Sequence, residues 1–277
     1  MNIFDAVFYG IVQGIAEFLP ISSSGHLALM QNFFSKGESS NFAFNIALHF
    51  ATLISVCIVY RKDVYAIIKG FFSLVKKLFT GNIKQSLNEG ERLFLMLCIA
   101  TAPLVPVKLL GFDEYVEALT GISWVIGGLL IINGVMLFVG DRLKNSNLAV
   151  KDGGYLRPLG VGVVQAIFGV MPGISRSGST ITGGRILGYS RESAVKFSFL
   201  MSIPAILGAS VLELPDMFSQ GMGTDMIAPL LVGAAVAAVV GFFAIKLLQY
   251  LATKNFTVFS VYCIAVGAIA IVADIIW

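Results

Sequence analysis

The sequence predicts an all-α integral membrane protein of six transmembrane helices and two re-entrant helical hairpins, arranged as an inverted-topology repeat within one polytopic domain over 1–277. Three observations lead there. Only 13% of residues are charged and 57% are apolar, against roughly a quarter charged in soluble proteins. Six runs are long and apolar enough to cross a bilayer. Two further apolar stretches are each broken midway by Pro, Gly and Ser, and these two match one another.

The first broken stretch covers about 3–34. A spanning helix needs about 20 apolar residues, which neither side of its interruption supplies, so it reads as a hairpin. Such a turn is tolerated at membrane depth only where protein or water satisfies its backbone. Asp5 precedes the apolar part and no basic segment does, an N-terminus unlike a cleaved signal peptide. Spans follow at about 42–60, 91–110 and 120–140. Within the connecting segment 61–90, Ile67, Ile68, Phe71, Phe72, Val75 and Phe79 recur at helical spacing among Lys69, Lys76 and Lys77, predicting an amphipathic helix on the cytoplasmic surface. The second broken stretch lies near 157–190, and spans at 195–213, 227–249 and 256–276 complete the chain.

Loop charge sets the orientation. Segment 61–90 carries Arg61, Lys62 and Lys84 besides the lysines above, 141–157 carries Arg142, Lys144, Lys151 and Arg157, and 250–255 holds Lys254. The intervening loops have no Lys or Arg: 111–119 holds Asp113, Glu114 and Glu117, and 214–226 holds Asp216 and Asp225. The positive-inside rule then places the basic segments in the cytoplasm, so the two hairpins enter from opposite faces. The net charge of +3 is too small to suggest nucleic acid. Cys57, Cys98 and Cys263 each lie alone in apolar runs, without metal-ligand spacing, and read as small buried hydrophobes.

The two broken stretches align. Gly10-Ile11-Val12-Gln13-Gly14-Ile15 falls on Gly162-Val163-Val164-Gln165-Ala166-Ile167, and Pro20 on Pro172. After one inserted residue, Gly173, Ile21-Ser22-Ser23-Ser24-Gly25 falls on Ile174-Ser175-Arg176-Ser177-Gly178. The chain therefore divides into repeats of about 1–140 and 155–277, and inverted repeats with broken midplane helices build one site at their interface.

That site has a definite chemistry. Gln13 and Glu17, four residues apart, share a helical face. Pro20 stops the helix, Ser22, Ser23 and Ser24 offer hydroxyls, and His26 lies one turn further on. A carboxylate at membrane depth costs at least a few kcal/mol, so Glu17 needs a partner or a purpose. In the second hairpin, Ser175, Ser177 and Thr180 surround Arg176, and the N–H groups of a helix start make a ready anion site. Arg176 adds a fork matching phosphate oxygens, or else pairs with Glu17 in an ion pair that opens around a substrate. Carboxylate ligands suit Mg²⁺ or Ca²⁺ rather than zinc. His49, inside an apolar span, reads as a buried hydrogen-bonding residue behind the site.

At these residues the sequence resembles the undecaprenyl-diphosphatase family of bacitracin-resistance proteins, nearly end to end. The run from Gln13 through Glu17 to Pro20-Ile21-Ser22-Ser23-Ser24-Gly25-His26 looks like its first motif, (Glu/Gln)-x3-Glu followed by P-x-S-S-x-G-H. Pro172-Gly173-Ile174-Ser175-Arg176-Ser177-Gly178-Ser179-Thr180 looks like its second, P-G-x-S-R-S-x-x-T. The resemblance implies hydrolysis of undecaprenyl pyrophosphate to the monophosphate and phosphate, recycling the lipid carrier of peptidoglycan synthesis in the bacterial inner membrane, with an active site open to the outer, periplasmic side. By motif match, Glu17 and Gln13 belong to the metal and catalytic cluster. Ser23 is the candidate nucleophile, His26 the acid–base residue and Arg176 the phosphate clamp, while Ser22, Ser24, Ser175, Ser177 and Thr180 contact substrate. Gln13 stands where many relatives have Glu, which removes one anionic metal ligand. A metal-bound water is the alternative nucleophile, and the oligomeric state stays open, a homodimer included.

Composition separates this reading from two rival functions. A lipid flippase or secondary transporter shares the repeat architecture but needs no Ser–His pair. A PAP2-type phosphatase would need a second histidine after Ser175-Arg176, and none stands at the required distance.

Overall fold

A computed structural model of the chain describes residues 2–34, 42–82, 85–144, 146–220 and 226–276. Side chains of the acidic connections, Asp113, Glu114, Glu117, Asp216 and Asp225, lie outside the described residues, as does Lys84.

The described residues form thirteen α-helices. The first hairpin is α1 (Ile3–Ala16) and α2 (Ser23–Phe34). A reciprocal cap starts it: Asn2 Oδ1 accepts from the Asp5 N–H at 2.8 Å, and Asp5 Oδ2 accepts from the Asn2 N–H at 3.2 Å. The span α3 (Phe42–Val59) turns through 94° into α4 (Arg61–Phe79). Next come α5 (Glu89–Thr101), α6 (Leu104–Leu109), α7 (Phe112–Ala118) and α8 (Ser123–Arg142). The second hairpin is α9 (Leu156–Phe168) and α10 (Arg176–Ile186), followed by α11 (Arg191–Gln220), α12 (Ile227–Leu251) and α13 (Thr257–Ile276).

Among the described residues, five helical segments are long and apolar enough to cross a membrane, and α3 with α4 adds a sixth only as a bent pair. α1 and α9 are apolar but too short. The run expected as one span at 91–110 is one of these five, Glu89–Leu109, with its helix broken locally after Thr101, where Pro103 lacks the N–H that helix continuation needs. Segment 61–90 is more than a loop. Gly70 and Gly90 let α4 lie directly on α5, where a Cβ on Gly70 would sit 2.3 Å from the Gly90 carbonyl carbon. Glu91, fully buried there, accepts from Lys77 Nζ at 2.8 Å and Ser73 Oγ at 2.7 Å.

Packing crosses between the halves of the chain. α12 lies along α1 and α3, and α5 lies along α9 and α11. The matched glycines Gly10 and Gly162 make these contacts: added Cβ atoms would fall 2.6 Å from the Gly233 carbonyl oxygen of α12 and 2.3 Å from that of Ala100 in α5. Membrane helices associate through such small residues because lipid provides no hydrophobic drive between them. α8 and α13 pack the same way, at Gly127 against Gly267.

The basic segments gather at one end. Arg191 Nη2 bonds Asp141 Oδ1 at 2.7 Å, Asp141 Oδ2 accepts from the Phe256 N–H at 3.1 Å, Lys151 meets Glu89 at 3.2 Å, and Lys196 meets Asp63 at 2.6 Å. The starts of α5 and α11 therefore share that end with segments 141–157 and 250–255.

Candidate active site

The two turns meet in the interior. Leu19–Ser22 reverses the chain after α1, with Ser22 in the left-handed region at φ 74°. Gly173 makes the corresponding reversal at φ 97°. They touch glycine to glycine: a Cβ on Gly25 would lie 2.8 Å from the Gly173 Cα. Asn133 of α8, fully buried, pins both turns. Its Nδ2 donates to the Pro20 carbonyl at 2.9 Å, and its Oδ1 accepts from the Ser175 N–H at 3.0 Å. Each turn then launches a helix with the same device. Ser22 Oγ accepts from the Gly25 N–H at 3.2 Å, and Ser175 Oγ from the Gly178 N–H at 3.1 Å.

Glu17 sits where these turns converge, 6% exposed. Arg176 Nη2 donates to its Oε1. Ser23 Oγ donates to its Oε2 at 2.9 Å and Gln13 Nε2 to the same oxygen at 3.0 Å. His49 Nδ1 lies 3.4 Å from that oxygen and 3.1 Å from Gln13 Nε2. Ser23 and Arg176 occupy the same position in the two aligned turns, so each turn aims one group at a single carboxylate. A cavity of about 480 Å³ opens on this cluster. Glu17, Ser22, Ser23, Ser24, Ser175 and Arg176 form its polar end. Its far wall is largely apolar, with Leu104, Val105, Val107, Ile206, Ala209 and Leu212 from α6 and α11.

Four expected site residues stand outside that wall. His26 faces α13: its Nε2 is 2.8 Å from Tyr262 Oη, its ring stacks on Tyr262 with centroids 5.6 Å apart, and its Nδ1 is 2.8 Å from the Ser22 carbonyl oxygen. The group beside Ser23 Oγ is therefore Glu17. Thr180, 1% exposed, donates to the Arg176 carbonyl at 2.8 Å and meets Ser198 Oγ at 2.7 Å, tying α10 to α11. Ser177, 4% exposed, turns to Ser175 Oγ at 3.0 Å and the Leu19 carbonyl at 3.5 Å. Gln13 supports Glu17 from behind, fully buried.

The donor set bears on a cation. Among the described residues Glu17 is the cavity's sole carboxylate, and both its oxygens already accept from neighbours. Among the described residues, no group of three or more His, Cys, Asp or Glu could hold a metal ion.

The sequence has counterparts among known proteins. The family model for bacitracin resistance protein BacA matches residues 6–269. The chain belongs to the BacA family. A curated protein named undecaprenyl-diphosphatase from Alkaliphilus metalliredigens is 36% identical over 277 residues, covering 100% of both chains. Proteins of the same name from Halothermothrix orenii and Methanobrevibacter smithii are 36% and 37% identical, covering 98% and 99% of each chain. For this BacA-family chain, sequence reasoning missed Asn133, Tyr262 and the position of Gln165 in the cavity wall. Asn133 alone carried a signal, an amide within the apolar run Ile131-Ile132-Asn133-Gly134-Val135, where a polar group must find a partner.

Proposed function

We propose that this protein hydrolyses undecaprenyl diphosphate to undecaprenyl phosphate and inorganic phosphate, returning the lipid carrier to cell-wall synthesis and conferring bacitracin resistance. The observation that carries the reading is the hydroxyl of Ser23 donating to Glu17 directly beside Arg176, at the polar end of a cavity whose other wall is apolar. An amphiphile with an anionic head and a hydrocarbon tail matches both ends, and relatives of full length are named for that activity.

In this reading Arg176 leaves its ion pair in part to bind the terminal phosphoryl group. Ser23 Oγ attacks the terminal phosphorus as Glu17 Oε2 takes its proton, the anhydride bond breaks, and undecaprenyl phosphate departs. Water then cleaves the phosphoserine, with Glu17 returning its proton. His26 orients Ser22 and Tyr262 in this scheme rather than moving a proton. A Mg²⁺ or Ca²⁺ would be held by Glu17 and the side-chain Oε1 of Gln13, which has no hydrogen-bond partner in the buried interior, and would supply positive charge to offset that of the phosphates.

The matched turns, and the crossed packing of α5 on α9 and α12 on α1, support an inverted repeat with six spans and two re-entrant hairpins. The three basic segments at one end support a cytoplasmic position for that end in the bacterial inner membrane, with α4 at the interface. The cavity wall comes from the opposite halves of α5–α6 and α11, which supports a site open to the periplasm. Two copies in a homodimer would leave each cavity complete.

Purified protein given C55 diphosphate should release one phosphate per lipid, and EDTA should slow it at least tenfold, with Mg²⁺ or Ca²⁺ restoring the rate. No phosphate release under any metal would remove the diphosphatase reading, and full activity in EDTA would remove the cation. For the orientation, a cysteine placed at 222 should react with an impermeant maleimide on intact cells; labelling only after lysis would reverse the topology.

A further inference from the structure

One group in the cavity wall is left without a partner. Gln165 of α9 is 1% exposed and lines the cavity, and neither its Nε2 nor its Oε1 makes a hydrogen bond. Burying an amide unpaired carries a penalty comparable to losing a hydrogen bond, so such a group in a site points to a ligand.

The repeat shows what is different about it. Gln165 occupies the register position of Gln13, which spends its amide on Glu17, four residues on. Four residues after Gln165 stands Gly169, with no side chain to receive a bond. A Cβ at Gly169 would fall 2.8 Å from the Gln165 carbonyl oxygen and in ordinary contact, at 3.4 Å, with Arg176 Cγ, so the end of α9 lies directly alongside the Arg176 side chain. One half of the site thus holds the carboxylate with its amide engaged. The other half holds a guanidinium, the Ser175 cap and a free amide, a cationic and neutral set of donors suited to an anion.

Resting on the diphosphatase reading, we propose that Gln165 is a substrate-binding residue whose Nε2 donates to a non-bridging oxygen of the lipid diphosphate held by Arg176. The unliganded protein carries the amide unsatisfied, and the substrate completes it.

The test uses Gln165→Met, which keeps the length of the side chain and removes the amide, and Gln165→Glu, which keeps its shape and adds a negative charge. Purified full-length protein is melted with and without inorganic pyrophosphate and assayed on C55 diphosphate. Gln165→Met should melt at or above the wild-type temperature, because an unpaired buried amide has been removed, while its kcat/KM falls roughly ten- to a hundredfold through KM. The stabilising shift that pyrophosphate gives the wild type should be lost in both variants. Variants that keep the pyrophosphate shift and the wild-type KM overturn the assignment, as does a Gln165→Met protein that melts lower, which would make Gln165 a packing residue. Wild-type protein that binds pyrophosphate yet leaves C55 diphosphate intact defeats the diphosphatase reading instead, and the role of Gln165 in it.

Discussion

Glu17→Gln should lower kcat on undecaprenyl diphosphate by about a thousandfold while KM stays level or falls. Positioned acid–base groups contribute typically 10²–10⁴-fold, and the amide cannot take the proton from Ser23. It keeps the size of the carboxylate and can still accept from the Ser23 hydroxyl, now 2.9 Å from Glu17 Oε2, so the turn should hold its shape. The same change releases Arg176 from its counter-ion and leaves the guanidinium free for phosphate. Loss confined to kcat therefore marks Glu17 as the base. Steady-state kinetics on purified variant protein separate the outcomes: a raised KM with kcat intact would mean that Glu17 only shapes the pocket.

Arg176→Lys should reduce kcat/KM about a hundredfold or more. The guanidinium presents several donors in a fixed plane, and with one nitrogen on Glu17 the others remain for phosphate oxygens. Lysine is a point charge that satisfies one partner well, and losing hydrogen bonds to charged groups costs about 1.5–3 kcal/mol each. Its ammonium would also stay closer to Glu17, since the side chain is only 23% exposed and water offers little alternative. Near-normal turnover of a folded Arg176→Lys protein would remove the clamp from the proposal.

The two changes probe what the amino-acid pattern made legible. Pro20, Pro172 and the serines around them announced two turns, and the chain reverses at both sets of residues. The pairing of Glu17 with Arg176 was also readable, since a buried carboxylate and a buried guanidinium in one apolar chain each need an opposite charge. The surroundings of His26 were not legible. Spacing puts it one turn from Ser23, but spacing is silent about Tyr262, which lies 236 positions away and captures the ring. Nor could local pattern tell that Gln13 and Gln165, equivalent in register, differ in their bonds, because the difference rests on Glu17 against Gly169. The break after Thr101 escaped for a related reason: hydropathy averages over Pro103, whose missing N–H decides the geometry.

The crossed packing of α1 on α12 has a consequence for how the molecule is made. Ile3–Ala16 leaves the ribosome long before its neighbour Ile227–Leu251 emerges. The first hairpin waits through that interval without its wall, and the carboxylate it carries meets Arg176 only once the second hairpin has been made. Contact between the two is in this sense a late step of biogenesis, and a chain truncated before α12 has no native surface on which to lay α1.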